Sequence, residues 1–260
     1  MQRVNTLGTT LACELDEDEG KPALVLAHSL GVTRAMWDAL LPALRQRWRI
    51  LRYDLRGHGE SAQPDGPLSV EALGRDVLQL AERLDLSAFS FCGVSLGGLI
   101  GQWLGIHAPE KIEHLFLANT AMKFGEAVAW NARIDLVREQ GLAPVIAGTL
   151  ERWFTADFRA THPQQVASIR GLLEHCNSDG YVACCAAVRD ADFRSSASGI
   201  RARTLVMAGV SDPVSTPADG RALAVQISGA EYTELPVAHL GCVERPEEFA
   251  AAMLTFADRN

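Results

Sequence analysis

At 260 residues, 48% of them hydrophobic, the chain can bury one large core, and its length admits one or two domains. The net charge of -8 argues against a nucleic-acid partner, because phosphate binding relies on clustered Lys and Arg, and it means that an anionic substrate needs a local cation. No stretch approaches the roughly 20 apolar residues that cross a bilayer, and the opening "MQRVNTLGTT" lacks a signal-type apolar run, so a cytoplasmic protein with no membrane partner is expected.

In chain order, "RVNTLG" and "TLACELDE" alternate as a hairpin joined around Gly8. "ALVLAH" (23–28) is a continuous apolar run, the mark of a strand buried on both faces of a parallel sheet. "RILRYD" (49–54), "FSFCGV" (89–94), "IEHLFLAN" (112–119), "RTLVMAGV" (203–210) and "EYTELP" (231–236) have the same character. Helical periods lie between most of them: "RAMWDALLPALRQR", "SVEALGRDVLQLAERL", "LGGLIGQWLGIHA", "PADGRALAVQI" and "PEEFAAAMLTFA". This alternation predicts βαβ crossovers and a mostly parallel twisted sheet.

The rhythm breaks from Ala121 to about Ile200, where four helical patterns occur and no convincing strand: "EAVAWNARIDLVREQG", "APVIAGTLERWF", "PQQVASIRGLLEH" and "DGYVACCAAVRDA". Helices inserted there read as a lid over the strand ends, where open α/β sheets bind ligands. The six cysteines are scattered without a C-x-x-C pair or a zinc-type histidine spacing, which predicts buried reduced thiols and no metal site.

"FCGVSLGGL" carries the chemistry. Gly93-Val94-Ser95-Leu96-Gly97 follows a predicted strand and opens a predicted helix, the setting of a nucleophile elbow. The glycines admit the sharp turn, and the helix N-terminus behind Ser95 favours a developing anion. A serine hydroxyl needs a base, and the base an orienting carboxylate, in the chain order Ser, Asp or Glu, His. Asp212 in "GVSDPVSTP" and His239 in "VAHLGCVERP" each follow a predicted strand, on the sheet edge that holds Ser95. The backbone amides of Leu30, in "AHSLG", and Leu96 suit an oxyanion hole. His28 reads as structural, and Asp54 and Arg56 as fixing the loop around His58, whereas His107, His114, His162 and His175 lack a partnering motif.

Trp130 and Arg133 stand three apart on one helix face of the insertion. Spacing alone fits both an apolar wall beside a guanidinium fork and a solvated arginine beside a core tryptophan.

The segments "HSLG", "YDLRGHGES", "GVSLGGLIGQW", "VMAGVSDPVSTP" and "VAHLGCVERP" resemble the α/β-hydrolase superfamily. The phrases "VAWNARIDLVREQGL", "LERWFTADFRATHP" and "GYVACCAAVRDADFR" narrow the resemblance to the 3-oxoadipate enol-lactonases, over essentially the whole chain. It implies an α/β-hydrolase core at 1–120 and 201–260, with a helical cap at 121–200. It also implies hydrolysis of a small anionic lactone, 3-oxoadipate enol-lactone, in bacterial breakdown of aromatics through the β-ketoadipate pathway, with no metal or organic cofactor. On this resemblance, "WNARI" makes Arg133 the anchor of the substrate carboxylate, with Trp130 beside it. Rival readings are a C–C bond hydrolase, an esterase or perhydrolase with the same triad, and, outside enzymes, a small-molecule receptor on the same fold.

Overall fold

The computed structural model describes residues 1–6 and 8–259. Among the described residues eight strands form one sheet: β1 (Gln2–Thr6), β2 (Thr9–Leu15), β3 (Ala23–Ala27), β4 (Arg49–Tyr53), β5 (Phe89–Val94), β6 (Ile112–Ala118), β7 (Arg203–Gly209) and β8 (Glu231–Leu235). They lie in the order β1-β2-β4-β3-β5-β6-β7-β8. β2 is antiparallel to β1 and β4, and every other pairing is parallel. The predicted hairpin is present with Gly8 in its turn; Leu7, within the same prediction, lies outside the described residues.

β3 and β5 are buried along their whole length, as continuous apolar runs require in a doubly covered sheet. The helices that cover it are α1 (Leu41–Leu44), α2 (Val70–Arg83), α3 (Leu96–His107), α9 (Pro217–Gln226), α10 (Gly241–Glu244) and α11 (Pro246–Asp258). The strand alternation is visible in β6. Leu115 and Leu117 approach glycines of α3, whereas His114 and Phe116 meet Phe256 of α11.

One predicted helix is broken. The pattern over 34–47 folds as a 3-10 helix, Arg34–Leu40, followed by the single turn of α1. Pro42 explains it. Proline has no N–H, and its ring would collide with the carbonyl of Asp38 in a continuous helix, so the chain restarts with Pro42 in the first turn.

Between β6 and β7 the described residues hold five α-helices, α4 (Ala127–Gln140), α5 (Ala143–Trp153), α6 (Ala156–Thr161), α7 (Pro163–Glu174) and α8 (Ser178–Asp190), then a short 3-10 helix, Ala197–Gly199, and no strand. The six-residue α6, capped by Thr155, is absent from the helices expected from sequence. α4 packs on α5 and α8, and α7 on α5 and α6. The insertion is stitched to the sheet loops by backbone bonds from Leu68 N–H to Ala183 O, 3.1 Å, and from Leu240 N–H to Trp153 O, 3.0 Å.

Candidate active site

Ser95 is the turn between β5 and α3, with φ 58° and ψ -112°, a strained conformation for a residue with a side chain. Its neighbours have no room for one. A Cβ on Gly93 would lie 2.0 Å from Gly97 O, and one on Gly97 would lie 2.2 Å from Ala27 O. The turn is held by Ser95 N–H donating to Ala118 O at 3.1 Å and by Thr120 Oγ1 donating to Ser95 O at 2.9 Å. These contacts seat the first turn of α3 directly on the end of β3 and aim its unpaired amides into the site.

Asp212 follows β7 and His239 follows β8, both at the carboxyl edge that Ser95 occupies after β5. His239 Nδ1–H donates to Asp212 Oδ2 at 2.8 Å, which leaves Nε2 as the proton acceptor. Exposure divides the three groups: Asp212 keeps 3% and His239 1%, while Ser95 keeps 9%. The acid–base pair is thus desolvated and the candidate nucleophile remains the most open. Burial opposes ionisation of Asp212, yet His239, the Val214 amide and the Ser215 hydroxyl together hold its pKa below the ordinary aspartate value. Val214 and Ser215 amides donate to Oδ1 at 2.8 and 3.1 Å, and Ser215 Oγ donates to Oδ2 at 2.8 Å.

The loop after β3 begins against the elbow, with His28 O 3.1 Å from where a Cβ on Gly97 would stand. Ser29 N–H donates to Met36 Sδ and Gly31 N–H to His58 Nε2, whereas the Leu30 amide between them has no acceptor among the described residues. The Leu96 amide is likewise one of the orphan donors at the start of α3. Two such amides are able to hold an oxyanion. His28 is structural, as expected from sequence: its Nε2 accepts Leu55 N–H at 2.9 Å. Its ring centroid lies 5.3 Å from that of His58, and neither histidine is exposed. Asp54 binds the Arg34 and Glu60 amides, and Arg56 pairs with Asp76 of α2, so both brace this loop.

In the insertion, Trp130 Nε1–H donates to Phe124 O at 2.7 Å and the ring packs on the core, which leaves it an apolar role. Arg133 is half-buried; its Nε donates to Tyr181 OH at 2.7 Å and its Nη2 to Thr149 Oγ1 at 2.9 Å. Three of the five guanidinium N–H donors have no partner among the described residues, and no carboxylate neutralises the charge. Arg138, Arg170, Arg189 and Arg194 each face an acidic side chain, whereas Arg152, whose pKa is lowered by burial and by the neighbouring Arg133 charge, forms no ion pair among the described residues.

Sequence reasoning missed several residues that the fold brings to this edge. Asn119 Nδ2, just after β6, donates to Asp212 Oδ2 at 3.1 Å and to Ala238 O at 3.0 Å, tying the carboxylate to the backbone beside His239. Its signal was its place at a strand's carboxyl end, shared with the other three. Trp153 stacks near His239, and Glu244 accepts from the Ala238 amide at 3.0 Å while binding Thr155 of the insertion.

A family model described as the alpha/beta hydrolase fold matches residues 22–246. Among curated relatives, 3-oxoadipate enol-lactonase 2 of Acinetobacter baylyi is 41% identical over 233 residues, 90% of this chain and 87% of that protein. 3-Oxoadipate enol-lactonase 1 of the same organism is 34% identical, across 94% of this chain and 92% of that one. The crystal structure of the enol-lactonase from Burkholderia xenovorans LB400 superposes with a TM-score of 0.96 at 38% identity, covering 98% of this chain and 99% of its own. Sheet order, elbow and these relatives agree: the chain belongs to the α/β-hydrolase family and, within it, to the 3-oxoadipate enol-lactonases, hydrolases of ester bonds.

Proposed function

We propose that this protein hydrolyses 3-oxoadipate enol-lactone to 3-oxoadipate through an acyl-enzyme on Ser95, as a cytoplasmic step in the breakdown of aromatic compounds. The observation that carries the mechanism is the buried His239–Asp212 pair, joined at 2.8 Å on the sheet edge where the strained Ser95 stands. The substrate follows from the relatives' names and from the uncompensated guanidinium of Arg133. The location suits six free cysteines, five of them buried.

Ser95 Oγ attacks the lactone carbonyl while His239 Nε2 takes its proton, and Asp212 steadies the imidazolium. The Leu30 and Leu96 amides hold the oxyanion, whose negative charge also meets the positive end of α3. Collapse breaks the ring C–O bond, and His239 returns its proton to the departing enol oxygen. That enol stays tethered and is able to close the ring again; tautomerisation to the ketone removes this nucleophile. Water, deprotonated by His239, then attacks the acyl carbon, Ser95 is regenerated, and 3-oxoadipate leaves. The helices at 121–200 act as a cap, with Arg133 binding the free carboxylate of the substrate and Trp130 forming an apolar side of its pocket.

Loss of the enol-lactone followed by ultraviolet absorbance, with 3-oxoadipate identified as the product, tests this reading. Hydrolysis of simple esters with no turnover of the lactone would overturn it.

A further inference from the structure

Tyr181 of α8 stands between two parts of the site that are far apart in sequence. It is 2% exposed. On one side its hydroxyl accepts Arg133 Nε–H at 2.7 Å, and the guanidinium carbon lies 5.6 Å from the ring centroid. On the other side the ring edge abuts Gly31, the residue after Leu30. A Cβ on Gly31 would stand 2.8 Å from Leu173 Cδ2, 3.0 Å from Tyr181 Cε2 and 3.4 Å from Tyr181 Cδ2, so the ring and the leucine together fill the space where a side chain at Gly31 would sit. Gly31 has φ +84°, a conformation that glycine tolerates, and its amide is tied to His58 Nε2 at 2.9 Å. The loop bearing the Leu30 amide is therefore held by His58 through a hydrogen bond and backed at Gly31 by Tyr181 and Leu173.

We propose that Tyr181 is a positioning residue with two separable roles. Its hydroxyl orients the Arg133 guanidinium, turning the three free N–H donors toward the substrate carboxylate. Its ring backs Gly31 and so fixes the Leu30 amide where the oxyanion develops. The inference rests on the reading of Arg133 as carboxylate anchor and of Leu30 as oxyanion donor.

The roles separate because they use different atoms and act on different kinetic constants. Holding the carboxylate serves ground state and transition state alike and falls on KM; aiming an oxyanion donor serves the transition state and falls on kcat. Only the first role needs a charged substrate.

The test measures kcat and KM for the anionic enol-lactone and for a neutral ester, p-nitrophenyl acetate, in the wild-type protein and in Tyr181→Phe, Tyr181→Leu and Arg133→Ala, with thermal unfolding as a check on folding. Tyr181→Phe keeps the ring and is expected to raise KM for the lactone about tenfold, leaving the neutral ester unchanged. Tyr181→Leu is expected to lower kcat by about tenfold or more on both substrates, the size of a partly misaimed oxyanion donor. If Tyr181→Leu does not fold, Tyr181→Met, flexible and of similar bulk, carries the same comparison.

The hydroxyl role is overturned if Arg133→Ala selectively damages the lactone reaction and Tyr181→Phe does not. The ring role is overturned if a folded Leu or Met variant keeps its wild-type kcat on the neutral ester. Equal losses on both substrates in Arg133→Ala would instead remove the anchor reading, together with the hydroxyl role, and the neutral-ester comparison would still decide the ring role.

Discussion

Trp153, the last residue of α5, lies over the imidazole of His239, with ring centroids 6.5 Å apart and planes inclined by 29°. The inserted helices thereby shield the proposed base from water. Backbone bonding reinforces the contact, since Leu240, next to His239, donates to Trp153 O. Trp153→Ala should remove this cover and lower kcat/KM on the enol-lactone. It should also cost about 3–5 kcal/mol of stability, the usual range for truncating a buried tryptophan, in a urea titration. Trp153→Phe should recover most of both. A stable, folded Trp153→Ala with full kcat/KM would reduce the contact to packing.

Asn119 makes a further prediction. Its amide joins Asp212 to Ala238, and so sets the distance between the carboxylate and the loop carrying His239. Asn119→Ala should lower kcat by about tenfold, equivalent to about 1.4 kcal/mol of barrier. Asp212→Asn should cost far more, on the order of 10⁴-fold, because an amide no longer compels the imidazole to donate from Nδ1. If the two variants were equally active, the carboxylate would not be orienting His239.

The buried histidines make stability depend on pH. Both accept a backbone N–H at Nε2, so both are neutral, and burial holds His28 near a pKa of about 4 and His58 near about 3. In the unfolded chain each titrates near the reference value of roughly 6.5. The unfolded state therefore gains protons that the native state refuses. Stability is complete above that value and falls as the pH drops from it toward 4, by about 1.4 kcal/mol per pH unit for each histidine. The half-buried His114, also lowered by burial, acts in the same direction. Urea unfolding at pH 7, 6 and 5 should show this slope, and His58→Gln, which keeps an uncharged acceptor, should flatten it. Equal stability at all three pH values would contradict the buried neutral pair.

The strands and the Ser95, Asp212 and His239 positions were legible because their signals are local: an apolar run, a turn between glycines, a polar residue directly after a strand. Other features depend on chain segments meeting in space. Asn119 reaches Asp212 across 93 positions, and Tyr181 reaches Arg133 across 48. No spacing rule links such residues before the sheet order is known. α6 escaped because six residues show less than two full turns of periodicity, and the pattern before Pro42 looked helical until the proline's own geometry intervened.

The covalent intermediate on Ser95 is the center of the account. Rapid mixing of the enzyme with the enol-lactone, acid quenching and mass spectrometry of the Ser95 peptide should show an adduct equal in mass to the whole lactone, since ring opening expels nothing. Ser95→Ala should fold normally, show no adduct and lose turnover by several orders of magnitude. Turnover near the wild-type rate in Ser95→Ala, or an adduct on a different residue, would contradict it.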